Sequence, residues 1–80
     1  MKKETVPVSQ RALIARINRA LKKDDEVLKA TRGERWRDEQ GDFYILDWRK
    51  NWIVYKHVDL EELGRELEVL KPFEHLEVSP

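Results

Sequence analysis

Cysteine is missing from the eighty residues altogether. Disulfides, thiolate zinc sites and cysteine nucleophiles go with it. Small extracellular domains commonly lean on disulfides, so the lack favours the cytoplasm. Long apolar runs are missing too. None approaches the roughly 18 residues of a membrane span, and Met1-Lys2-Lys3-Glu4 has no apolar signal segment. A soluble protein without membrane contact is the expectation.

Catalytic residue types are scarce. Gly33, Gly41 and Gly64 stand apart from one another and build no phosphate cradle. Serine occurs at Ser9 and Ser79, and Ser9 sits where a helix cap is wanted. His57 and His75 are too far apart for a pair on one helix face. His57 suits a local hydrogen-bonding role before Asp59, and His75 suits a solvated side chain among acids. Asp42 and Asp47 fall on opposite faces of one strand and form no carboxylate pair. Neither an enzyme nor a cofactor or metal site is expected.

What the chain has is charge and an aromatic-rich centre. Charged residues make up 40% and the net charge is zero. The zero hides a split. Residues 1–37 hold eleven Lys and Arg against five Asp and Glu, a net of +6; residues 38–80 reverse those numbers to −6. Such a split orients encounters, pairs copies head to tail, or is satisfied within the fold. Eighty residues make one domain, burying about 60–65% of the unfolded surface. The ends, 1–7 and 77–80, read as loose.

The centre is 41–58, where Phe43, Tyr44, Ile45, Leu46 and Trp48 are followed by Trp52, Ile53, Val54 and Tyr55. These are strand residues in runs too short for a typical helix. Arg49-Lys50-Asn51 suits a three-residue hairpin loop, with Asn51 in the left-handed conformation it tolerates. That register opposes Trp48 to Trp52 and Leu46 to Val54. It puts Tyr44, Leu46, Trp48, Trp52, Val54 and Val58 on one face, and Phe43, Ile45, Ile53 and Tyr55 on the other. Apolar residues thus occupy both faces, more than a sheet with one solvated side needs.

Around the hairpin, Ser9 begins an amphipathic helix to about Lys23, with Leu13, Ile14, Ile17 and Leu21 on one face and a basic back. Val27 to Arg37 reads as a first strand bent at Gly33, and Asp38 to Gly41 as a turn. Asp59 caps a second helix carrying Leu60, Leu63, Leu67 and Leu70, with Glu62 three residues on. Pro72 ends it. Gly64 inside that helix marks close packing. The order expected is α-β-β-β-α: an α+β fold with a three-stranded antiparallel meander packed by two helices.

The segments Ser9–Arg19, Gly41–Asp47 and His57–Leu67 resemble short uncharacterised proteins of bacterial plasmids and phages. The resemblance runs from Val8 to Phe73. It implies mobile-element biology, including inhibitors of host defence, and carries over no functional residue.

Two functional readings follow. One is protein binding, to another protein or a second copy, through Phe43, Ile45, Ile53 and Tyr55 with Arg49, Lys50 and Trp52 at the hairpin tip. Trp, Tyr and Arg dominate interface energies. The other is DNA or RNA binding through Arg11, Arg16, Arg19, Lys22 and Lys23 of the first helix. Lys29, Arg32, Arg35 and Arg37 extend that patch, with Trp36 as a stacking platform. Against the second stands a pI near 6.7.

Overall fold

The structure is a computed structural model, and it describes residues 5–77. The elements run β1 (Val6–Val8), α1 (Gln10–Leu21), β2 (Glu26–Ala30), α2 (Glu34–Gln40), β3 (Phe43–Asp47), β4 (Trp52–Tyr55), α3 (Leu60–Glu66) and β5 (Glu74–Leu76). The expected three-stranded antiparallel meander is there, as β2-β3-β4. A parallel pair, β1 with β5, joins the two ends. The fold is α+β with a third helix and two more strands than the sequence suggested.

Local chemistry accounts for α1 and α3, the two helices expected from the sequence. Ser9 sits in extended backbone and its hydroxyl accepts the Ala12 N–H at 3.1 Å, so α1 starts where the cap was expected. Leu13, Ile17 and Leu21 form its buried face. A 3-10 turn at Lys22–Asp24 and a left-handed Asp25 (φ 60°) end it among the acids that oppose a helix C-terminus. Asp59 caps α3, accepting the Glu62 N–H at 3.0 Å. That helix stops well short of Pro72. Glu68 turns left-handed (φ 60°), and the Val69 and Glu68 N–H groups donate back to the Gly64 and Arg65 carbonyls. This is a Schellman closure with glutamate where glycine is usual.

The stretch 31–40 departs from expectation. Glu34 to Gln40 is helix, not the far half of a strand ending in a turn. Apart from Trp36, its residues are charged or amide-bearing, with good helix formers among them, and the chain enters through Gly33 at φ 84°. Gly41 closes the helix at φ 78°, donating to the Arg37 carbonyl. A side chain there would strike His57, because a Cβ would lie 2.7 Å from its Cα. α2 buries none of its own residues.

The described parts of the two ends pair with each other. Val6 donates to the Phe73 carbonyl at 2.7 Å and Glu77 to that of Val8 at 2.8 Å. Pro7, which has no N–H to give, sits between these two pairings. Residues 1–4 and 78–80, also expected to be loose, lie outside the described residues.

One core results. Val8, Leu13, Ile17, Leu21, Leu28, Ile45, Leu60 and Leu70 are buried together, with Phe43, Val58, Leu63, Leu67 and Leu76 against them. Gly64 lets α3 approach α1: a Cβ there would lie 2.9 Å from Leu13 Cδ1. Both helices therefore lie on one side of the three-stranded sheet. α1 also covers the outer edge of β2, where Asn18 Oδ1 accepts the Leu28 N–H at 2.7 Å. Among the described residues the β4 edge has no neighbouring strand.

Candidate functional site

Register decides which side chains share a face. Asp47 pairs with Trp52, Leu46 with Ile53, and Ile45 with Tyr55 across a bulge. The hairpin loop is thus four residues, Trp48 to Asn51, and not three. Asp47 drives this: its Oδ1 accepts the N–H groups of both Arg49 and Lys50 at 3.0 Å. Asn51 is left-handed as expected (φ 57°), its N–H donating to the Asp47 carbonyl at 2.7 Å. The longer loop moves Ile53 to the face of Leu46, and the bulge returns Tyr55 to the side of Ile45.

On β2 the same rule places Val27 opposite Leu46, Lys29 opposite Tyr44, and Leu28 opposite Ile45. The inner face is Leu28, Phe43 and Ile45, all in or against the core. The outer face is Val27, Lys29, Tyr44, Leu46 and Ile53. None of its apolar members belongs to the core cluster. Val27, Tyr44, Leu46 and Ile53 are each half-buried.

The residues expected to bind protein are therefore split. Ile45 is 2% exposed and Phe43 packs on the core, so both are corrected from contact surface to interior. Side chains alternate along β3 as expected, but Phe43 and Ile45 face the core and Tyr44 and Leu46 face away from it. Ile53 lies on the outer face. Tyr55 is 61% exposed but borders the inner groove of Leu21, Leu63 and Leu67. Trp52 is exposed at the tip with the Lys50 ammonium 5.0 Å from its ring centroid, and Arg49 pairs with Asp25 at 3.3 Å. Val27, Tyr44 and Leu46 were not singled out as site residues. Their signal was the same alternation, read from the other side.

The nucleic-acid set does not form one patch. Arg11, Arg19, Lys22 and Lys23 are exposed on and after α1, beyond the core from the outer face. Arg16 turns inward: its Nη1 meets Glu74 Oε1 at 2.9 Å and the Val69 carbonyl at 3.0 Å. This pair, with a backbone N–H from Lys71, holds the Glu74 carboxyl below its ordinary range. Arg37 pairs with Asp42 at 3.2 Å. Lys29, Arg32, Arg35 and Trp36 gather on the other side of the molecule. There an open groove of about 720 Å³ runs between α2 and the outer sheet face, lined by Val27, Lys29, Arg32, Trp36, Gln40 and Tyr44 among others. Trp36 is 48% exposed, with the Arg35 guanidinium 5.7 Å from its ring centroid.

The His57 backbone N–H donates to the Gln40 carbonyl at 2.7 Å, with φ at 53°. His75 Nδ1 and the Thr5 hydroxyl share an exposed hydrogen bond beside the β1–β5 pair, and the residue as a whole is half-buried. Among the described residues no group of three His, Cys, Asp or Glu is placed to hold a metal ion, and no helix is long and apolar enough to cross a membrane. Comparison with known families, curated proteins and solved structures returns no match.

Proposed function

We propose that this chain is a non-enzymatic protein-binding factor that docks through the outer face of its three-stranded sheet. The observation that carries the reading is the half-buried apolar strip of Val27, Tyr44, Leu46 and Ile53, which lies outside the core cluster and is flanked by the exposed Trp36. Trp48 and Trp52 stand exposed at the hairpin tip beyond it. Apolar surface of this kind stays in contact with water at a cost, and covering it is what drives association. Aromatic anchors with a cationic border are the usual energetic centre of an interface. The resemblance to plasmid and phage proteins suggests a mobile-element factor and the lack of cysteine a cytoplasmic one, with a host defence protein as the partner to try first.

A photo-crosslinking residue placed at Trp48 or Ile53, in cells, tests this. Adducts to another polypeptide are expected from these positions and not from Phe73, which is exposed on the helical side beside Arg16, Arg19 and Val69. Equal labelling from Phe73, or none from the outer face, would remove the reading.

A further inference from the structure

Resting on that reading, we propose that the outer face takes an acidic, aliphatic-rich segment of a partner protein, laid in the groove between α2 and the outer face of β2 and β3. The floor is apolar, from Val27 and Tyr44, with Leu46 and Ile53 continuing it along the sheet. The charged side chains lining the groove are Lys29 and Arg32, both cationic, and no carboxylate lines it. Arg35 adds a third positive charge beside the Trp36 wall. Arg37, the next cation along α2, is already matched by Asp42. The groove is open along its length, which suits a chain segment better than an enclosed small molecule.

Charge also decides against the other occupants. Two copies meeting face to face would bring like cationic rims together, which costs affinity. Laying the acidic α3 of one copy on the outer face of the next is a heterologous contact that need not close. A nucleic-acid strand would find three cations and the rings of Trp36 and Tyr44, but the aliphatic floor of Val27, Leu46 and Ile53 gives its bases nothing further to stack on. An acidic segment with Val, Ile or Leu between its carboxylates satisfies both the rim and the floor.

The test is panning of a phage-displayed library of random peptides, about twelve residues long, on the full chain. Span sets that length, since a dozen extended residues reach about 40 Å. Recovered peptides should be rich in Asp and Glu beside aliphatic residues. Their binding, read by fluorescence anisotropy, should weaken at least about tenfold in the Lys29→Glu/Arg32→Glu double variant and with added salt. It should be unchanged in Glu68→Lys, a substitution on the helical side. Both replaced cations are exposed, and a native-like circular dichroism spectrum of the double variant is the control that it folds.

Several results overturn the proposal: no peptide recovered, no acidic bias, or equal affinity for the double variant. Displacement of the peptides by a labelled thymidine oligonucleotide would assign the groove to nucleic acid. A dimer in sedimentation that excludes peptide would assign it to a second copy. Crosslinked adducts without acidic preference leave protein binding standing and remove only this inference.

Discussion

Single residues in this fold show which contacts matter and which are unused. Thr31 is 8% exposed, and its hydroxyl is buried with no hydrogen-bond partner. Removing an unsatisfied buried hydroxyl is close to neutral or stabilising. Thr31→Val should therefore match or exceed the native protein in urea denaturation. Gly64 is the opposite case. A methyl there meets Leu13 Cδ1 at 2.9 Å and Leu70 Cβ at 3.2 Å. Gly64→Ala should cost about 1–3 kcal/mol, despite alanine's better helix propensity. The close packing was legible from a glycine inside a leucine-bearing helix. The four-residue loop was not, because it depends on one Asp47 oxygen capturing two backbone N–H groups.

Elements differ in how much of their own structure they encode. α1 and α3 carry caps, a periodic apolar stripe and a stop, so they were readable locally. β2 stops at Ala30 because Glu34 to Gln40 prefers helix, and no apolar alternation in that stretch argued either way. The β1–β5 pair was invisible: three residues around Pro7 meet three from a tail, and only tertiary contact makes them strands. A clasp fixes that pair to the helices, with Arg16 and the Lys71 N–H on the Glu74 carboxylate and Arg65 on the Glu74 carbonyl.

Because these contacts hold the Glu74 carboxyl below the ordinary 4.5, its stabilising contribution is complete above that value. It is lost as pH falls through the lower folded value. Glu26 works in reverse. Burial, then Asp24 and Asp47, raise its carboxyl, so it destabilises the fold when ionised and this penalty is relieved as pH falls through the raised value. Unfolding followed against pH should show both arms. Glu26→Gln should flatten the mildly acid gain, and Glu74→Gln should lessen the loss below 4.5. A Glu74→Gln profile that parallels the native one would show that the clasp carries no charge-dependent stability.

At the scale of the whole molecule, the charge split and the two-faced sheet have different fates. Part of the split is satisfied internally: basic α1 meets the acidic tail at Arg16 and Glu74, 58 positions apart. The apolar surplus is only partly covered: α1 and α3 pack on the inner face, and Val27, Tyr44, Leu46 and Ile53 are half-buried outside the core cluster. That imbalance was readable in the sequence as apolar residues at every position of β3 but its last. Which side stays open was not, because it depends on where α1 and α3 land.

The central claim is that one face of the sheet is interior and the other is not. Urea denaturation of Ile45→Lys beside Ile53→Lys tests it most directly. Burying a lysine at Ile45 should cost more than about 4 kcal/mol and leave the chain unfolded. At Ile53 it should cost no more than about 1 kcal/mol, with the fold intact. Equal collapse of both variants would mean that the outer face is core as well, and the docking surface would be gone.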